Sequence, residues 1–302
     1  MKPRFLLEYA GVRLLDFVLS RLSWEACQAL GAFIGRTAAA FGRGRWAMTV
    51  ANVAAAFPEL SRAEHEAIAL QAWENAGRIA AEFCRTRHLS KDELLTRVSF
   101  EHLDLVDRTV AEGKGVLYNI GHLGNWETGG IAFTAKGYQL GVVGRVMRNP
   151  LLDRWMTGTR SRFGEQVFAH RNPFFQVVRW LKAGKGTAIL IDHNLYQGGV
   201  FVPFFGRPAA TSTLSGLLAV KLGCPVLSTR VRREGSGLVV SFHGPLRADP
   251  GAEPEAEARR LTVEMTRQIE GFIRERPGEW LWGHNRWKRT HEAAQEASPP
   301  AA

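Results

Sequence analysis

The sequence predicts an α/β protein: a mainly parallel central sheet flanked by helices, preceded by a helical N-terminal region. Three observations carry this. From about residue 91 onward, short apolar runs alternate with helical stretches, the texture of repeated strand–helix units. Residues 1–90 keep helical spacing throughout. A strand-like run, 115–120, leads through two glycines and His122 into a helix start. Open α/β sheets bind ligands at such strand carboxyl ends.

The elements follow in order. Phe5, Leu6, Tyr9, Val12, Leu15, Leu19 and Leu22 recur at helical spacing. Glu8, Arg13 and Asp16 interrupt the run. It is therefore neither a cleavable signal peptide nor the roughly 20 apolar residues of a transmembrane helix. It is amphipathic, and two readings stand. The helix packs on the domain, or it lies in a membrane interface with Lys2, Arg4, Arg13 and Arg21 toward lipid phosphates. Ser23 caps a helix to about Phe41, Gly42–Arg45 breaks it, and residues 46–56 resume it. Ser61 and Glu64 form a capping-box pattern ahead of a helix to about Arg87. Strands are expected at 98–100, 115–120, 139–143, 187–191, 200–204, 226–231 and 238–242. Helices are expected at 101–112, 125–136, 149–163, 173–183, 211–222, 254–276 and 279–287. The Ala- and Pro-containing stretch 291–302 reads as a disordered tail.

Composition sets the bounds. The 302 residues are 45% hydrophobic and 23% charged, which excludes wholesale disorder, a collagen-like repeat and a polytopic membrane protein. Net charge is +10, and Arg outnumbers Lys by 31 to 8. Nucleic acid, an anionic membrane surface and a phosphorylated substrate all suit that excess, and so does a GC-rich genome. No helix-turn-helix, RNP or zinc-finger pattern supports nucleic-acid binding, which stands as the alternative from a different class. Cys27, Cys84 and Cys224 are widely spaced, with no C-x-x-C pair, as expected of reduced cytosolic thiols.

The chemistry gathers at Val116–Glu127. Asn125 is a candidate N-cap, which puts Glu127 in the first helical turn. Folded back, Glu127 would bond one imidazole nitrogen of His122, fix its tautomer and leave the other nitrogen as a general base. Such a dyad needs an outside nucleophile, typically a substrate hydroxyl. The alternative is a strand-end histidine satisfied by backbone, with Glu127 merely complementing the helix dipole.

The block Ile120-Gly121-His122-Leu123-Gly124-Asn125-Trp126-Glu127 resembles the lipid A biosynthesis (lauroyl/myristoyl) acyltransferase family, within the lysophospholipid acyltransferase superfamily. Further blocks are similar in order. They are Asn52 with Ala56-Phe57-Pro58-Glu59, Val143-Gly144-Arg145 with Asn149-Pro150, and Arg160–Gly164. Ile191–Asn194 with Val200–Gly206 and Ala209–Thr211 follows, then Pro277–Trp282 with Arg286-Trp287-Lys288. Asn285 departs from the arginine often found in the closing motif. The resemblance spans about residues 3–289. It implies transfer of an acyl chain from an acyl carrier protein or coenzyme A thioester to a hydroxyl of a membrane glycolipid. Relatives of the same pattern acylate phosphatidylinositol mannosides and other bacterial lipids. The implied partners are that thioester, a lipid acceptor and a membrane surface, without nucleic acid. The implied location is the cytoplasmic face of a bacterial inner membrane, peripheral or singly anchored. Residues 1–90 would form the membrane-associating region and 91–290 the acyltransferase domain.

Other residues take candidate roles beside His122 and Glu127. The Gly121–Gly124 turn could present backbone N–H groups to an oxyanion, and Arg145 is a second donor candidate. Arg160 and Arg162, near a helix end, could hold a phosphate or form a solvated basic end. Asp192 follows another strand, could line the same cleft and could orient Arg145 or Arg160. Asp192-His193 with His122 lacks a spaced further ligand, so neither metal nor prosthetic cofactor is expected. Asn125 is also a candidate substrate contact. The aromatic run 200–206 is a core strand, one wall of an acyl channel, or both. Trp280, Trp282 and Trp287, with Arg286, Lys288 and Arg289, fit a membrane-interface edge or a packed C-terminal segment.

Overall fold

A computed structural model describes residues 2–144, 146–169 and 173–292. Arg145 and most of the expected tail lie outside the described residues. The chain opens with α1 (Pro3–Ser20), α2 (Trp24–Phe41), α3 (Arg43–Ala56), α4 (Arg62–Thr86) and the short α5 (Lys91–Arg97). It continues with β1 (Val98–Glu101), α6 (Leu103–Ala111), β2 (Val116–Ile120), α7 (Trp126–Ala135), β3 (Leu140–Gly144), α8 (Pro150–Arg160), β4 (Gln166–Ala169), α9 (Phe174–Lys182) and β5 (Gly186–Leu190). The hairpin β6 (Val200–Phe204) and β7 (Arg207–Thr211), α10 (Leu214–Leu222), β8 (Val226–Glu234), β9 (Gly237–Leu246) and α11 (Pro254–Glu275) complete it. Ser23, Ser61 and Ser90 cap α2, α4 and α5, and the last two close full capping boxes with Glu64 and Glu93.

Seven strands form one sheet in the order β1-β9-β8-β2-β5-β3-β4, and β6 pairs only with β7. Every neighbouring pair in the large sheet is parallel except β8 and β9. The expected strand at 200–204 therefore exists but lies outside the central sheet. Sequence patterning missed β4 and β7, which are short and, in β7, built from Pro and Ala with little strand preference. The expected helix at 279–287 is instead a 3-10 turn, Pro277–Glu279, followed by turns.

Two apolar layers sandwich the sheet. One joins it to α10, α11 and the C-terminal tryptophans; the other joins it to α4 and α7. Trp280, Trp282 and Trp287 are buried among Phe204 and Phe205, and Arg286 beside them is wholly buried. That segment is core and not a membrane edge. Arg286 is tolerated there because it donates to the carbonyls of Ala210 (2.6 Å) and His193 (3.2 Å) and to Thr211 Oγ1 (2.6 Å).

The N-terminal helices are joined to this sandwich by close packing and by charge. Helices α2 and α4 cross at glycines. A Cβ on Gly35 would lie 2.1 Å from the Trp73 carbonyl, and one on Gly77 would lie 2.0 Å from that of Gly31. Glu82 of α4, wholly buried, pairs in bidentate fashion with Arg233 of β8 (2.9 Å from Nη2 to Oε2). It also accepts from Gln28 of α2 (2.6 Å) and from Asn125 (2.6 Å). By contrast, α1 buries only Asp16 and Leu19. Tyr9, Val12 and Leu22 pack inward at its edge, while Leu6, Leu7, Leu14, Leu15, Phe17 and Val18 face out.

Removing one member of a buried ion pair leaves the other charge without compensation, at a cost of about 3–5 kcal/mol. Glu82→Ala is expected to lose that much stability. The double replacement Glu82→Leu with Arg233→Met should recover most of it. Denaturant unfolding of the three proteins measures both.

Candidate active site

Strands β2 and β5 are parallel neighbours, with Ile120 opposite Leu190. Each chain leaves the sheet at the same level, so the residues two positions beyond, His122 and Asp192, emerge side by side. The His122 backbone N–H donates to Asp192 Oδ2 (2.7 Å), and its Nδ1 meets Oδ1 at 2.8 Å. The indole Nε1 of Trp280 also donates to Oδ2 (2.7 Å). Burial alone would push the Asp192 carboxyl up. The charge and hydrogen bond of His122, with His193 and Trp280, hold it well below the usual carboxylate range. An ionised carboxylate only accepts, so Nδ1 carries the ring proton. In the neutral imidazole Nε2 is then the bare nitrogen, and it has no hydrogen-bond partner among the described residues.

The turn between β2 and α7 is fixed from several sides. Gly124 has φ +61°, and a Cβ there would fall 2.1 Å from the Val231 carbonyl, so only glycine fits. Asn125 is the N-cap the sequence predicts: Oδ1 accepts from Thr128 N–H (3.0 Å). Its Nδ2 goes to Glu82, and the side chain is wholly buried, so it positions the turn and does not face a substrate. Three of the turn's four N–H groups are likewise taken. His122 N donates to Asp192, Leu123 N to the Gly121 carbonyl (2.8 Å) and Gly124 N to the Glu279 carbonyl (3.1 Å). The expectation that the turn awaits an oxyanion is corrected for these three.

Glu127 makes no hydrogen bond to His122. The end of α8 brings Arg160 against it, with Nε to Oε2 at 2.8 Å and Nη2 to Oε1 at 2.6 Å. A guanidinium fork outcompetes a neutral imidazole for a carboxylate, and Asp192 already holds Nδ1. Arg160, expected at an acceptor phosphate, thus has two of its three nitrogens committed to Glu127. Arg162 donates to the carbonyls of Arg87 and Leu89 (2.9 Å for the latter) and ties down the end of α4. Asp192 orients His122, not Arg160; Arg145 lies outside the described residues. Beside the pair sits Glu165, buried, its carboxyl pushed up first by burial and then by the charge of Glu127. Sequence reading missed it.

These groups edge a cavity of about 600 Å³ beneath α7. His122, Trp126, Glu127, Arg160, Glu165 and His193 give its polar part. Tyr118, Phe133, Leu140, Val142, Val240 and Phe242 line much of the rest. No residue of 200–206 is in that lining, so the aromatic run is core and not channel wall. His122, Asp192 and His193 each offer a ligating atom within 4.8 Å of the others. Yet both Asp192 oxygens are hydrogen bonded, and the two imidazoles stack face to face (3.6 Å between centroids, 3° between planes). Their in-plane lone pairs run alongside one another and do not converge on one ion. The arrangement suits proton transfer.

Comparison with known proteins gives the family context. Residues 1–289 match the family model described as bacterial lipid A biosynthesis acyltransferase. The chain is 27% identical over 297 residues to a lipid A biosynthesis acyltransferase of Haemophilus influenzae, covering 93% of this chain and 87% of that protein. It is 26% identical over 300 residues to the lipid A biosynthesis lauroyltransferase of Escherichia coli, covering 97% and 94%. A phosphatidylinositol mannoside acyltransferase of Mycobacterium tuberculosis is 23% identical over 189 residues, 61% of this chain and 58% of that one.

Asp192→Asn keeps one oxygen for the His122 N–H and Trp280 and turns an amide N–H toward Nδ1. The imidazole must then carry its proton on Nε2, where it cannot act as a base. Turnover is expected to fall about 10⁴-fold, as when the carboxylate of a catalytic triad becomes an amide. Steady-state kinetics with a circular-dichroism check of the fold measures it.

Proposed function

The chain belongs to the bacterial lipid A biosynthesis acyltransferase family, and from that premise we propose that it moves a fatty acyl chain from an acyl-carrier-protein or coenzyme A thioester to a hydroxyl of a lipid A precursor. The observation that carries this reading is His122, held through Nδ1 by Asp192 with Nε2 unpaired, in the wall of a largely apolar cavity of about 600 Å³. The apolar lining suits the acyl chain, and His122 then sits at the thioester carbonyl.

Nε2 takes the proton of the acceptor hydroxyl as its oxygen bonds the carbonyl carbon, and the π pair moves onto the carbonyl oxygen. Collapse breaks the C–S bond, and the proton passes from Nε2 to the departing thiolate, leaving an ester and a free thiol. Asp192 stabilises the intervening imidazolium. The thioester is a co-substrate, and the step needs no prosthetic group. No acyl-enzyme is invoked: none of the three cysteines lines the cavity, and burial pushes Cys27 and Cys84 up to about 12 and Cys224 to about 11.

Access to the lipid comes from the membrane surface. No helix among the described residues is long and apolar enough to cross a bilayer. Leu7, Leu14 and Phe17 of α1 and Phe33 and Phe41 of α2 are exposed, and Arg21 lies over the Phe17 ring at 5.0 Å. Such a face suits the anionic cytoplasmic surface of an inner membrane, apolar groups inserted and arginines at the phosphates.

His122→Ala is expected to lower acyl transfer about 10²–10⁴-fold with the fold intact. Near-normal rates from folded His122→Ala would remove the mechanism. Changing Leu14, Phe17 and Val18 together to Asp should abolish co-sedimentation with anionic phospholipid vesicles. Turnover of a detergent-dispersed acceptor should survive in that variant.

A further inference from the structure

Thioester attack places negative charge on the carbonyl oxygen, and catalysis needs a donor aimed at it. Most of the obvious donors are committed elsewhere: the N–H groups of His122, Leu123 and Gly124, Nε and Nη2 of Arg160, and the Trp280 indole, which serves Asp192. His193 is different. It lines the cavity beside His122, and neither ring nitrogen has a hydrogen-bond partner among the described residues. Nε2 is buried in protein, and Nδ1 is the less buried of the two nitrogens. The ring lies cofacial with His122 at 3.6 Å, and His284 continues the stack at 4.0 Å and 6°. Arg286 grips the His193 carbonyl and fixes its backbone.

We propose that His193 is a second catalytic residue, donating its Nδ1–H to the oxyanion while His122 handles the proton of the nucleophile. This rests on the acyl-transfer reading above and deepens it. Two cofacial rings cannot share one ion, but they can serve two oxygens of one tetrahedral carbon. The attacking oxygen faces His122 Nε2, and the former carbonyl oxygen faces His193. As C–O forms, the C=O π pair becomes the oxyanion's lone pair, which accepts the His193 hydrogen bond without taking its proton. As C–S breaks, that pair returns to the carbonyl.

The donor must stay a neutral imidazole, because a second imidazolium would oppose the one forming on His122. Its surroundings hold it neutral. Burial is the main cause, His122 adds to it, Asp192 opposes, and His284 and Arg286 assist, so that His193 is brought down to about 3. His284 is itself lowered to about 4, chiefly by burial.

His193→Phe keeps a ring against His122 and removes the N–H. With the wild-type pH profile of kcat retained, kcat should fall about 10²–10³-fold, the usual effect of losing one oxyanion donor. The KM for the acyl thioester should change little. His193→Gln, which restores an N–H, should recover part of the rate and guards against a folding defect in the first variant. The Trp126 indole, which meets His122 edge-on at 4.7 Å, is the rival donor. A near-normal kcat in His193→Phe, or a comparable loss in Trp126→Phe alone, overturns the assignment. Activity surviving in His122→Ala would instead sink the acyl-transfer mechanism itself, so the two failures are distinguishable.

Discussion

Asp192 is a buried carboxylate, and it is stable there only because three donors reach it from two distant parts of the chain. His122 supplies its backbone N–H and its ring, and Trp280 supplies an indole N–H. A buried anion left with fewer partners costs several kcal/mol, so these contacts form together or not at all. The consequences run outward. The end of β2 is pulled against the end of β5. The imidazole is locked in one tautomer. The C-terminal segment is drawn across the turn, where Leu281 N–H donates to the His122 carbonyl and Leu123 pairs with Trp280 as an isolated bridge. Gly121 permits this: a Cβ there would lie 3.3 Å from Asp192 Oδ2 and 3.0 Å from Ile269.

Much of this was legible in the residues. The order of strands and helices, the capping serines and the strand-end position of His122 follow from periodicity and cap chemistry. The partner of His122 did not, because H-x-x-x-x-E spacing says nothing about which way Glu127 points from the first turn of α7. The signal that would have found Asp192 is register. Two apolar strands that pair in parallel place residues at equal offsets side by side, and Asp192 follows Leu190 by as many positions as His122 follows Ile120. Reading that needs the sheet order, in which sequence neighbours β2 and β3 are separated by β5. The tryptophan-rich end stayed open between two readings for another reason. Aromatic rings beside arginines compose membrane belts and also compose cores that swallow an arginine, and only Arg286's carbonyl acceptors tell them apart. Several arginines are also spent on carboxylates of the same chain. Arg232 pairs with Glu101 and Glu234, Arg247 with Glu112, and Arg36 with Glu74.

The helical N-terminal region is part of the site's support. Glu82 receives Gln28 from α2, Arg233 from the sheet and Asn125 from the catalytic turn. Helix α2 also carries the exposed Phe33 and Phe41. One buried carboxylate therefore stands between the proposed membrane face and the loop that holds His122. Whatever orients α2 on a lipid surface orients the cavity mouth with it.

The bond from Gly124 to Glu279 and the contacts of Trp280 and Leu281 have a consequence in time. His122 and Asp192 leave the ribosome well before the segment that closes over them. At about 5–20 residues per second, that segment follows His122 by an interval on the order of ten seconds. Throughout it the nascent chain holds the reactive histidine without the indole that helps pin its carboxylate partner. Translation thus keeps the catalyst unassembled until its final turns are made, and a polypeptide released early, after α11, would carry the motif yet lack the geometry that gives it meaning.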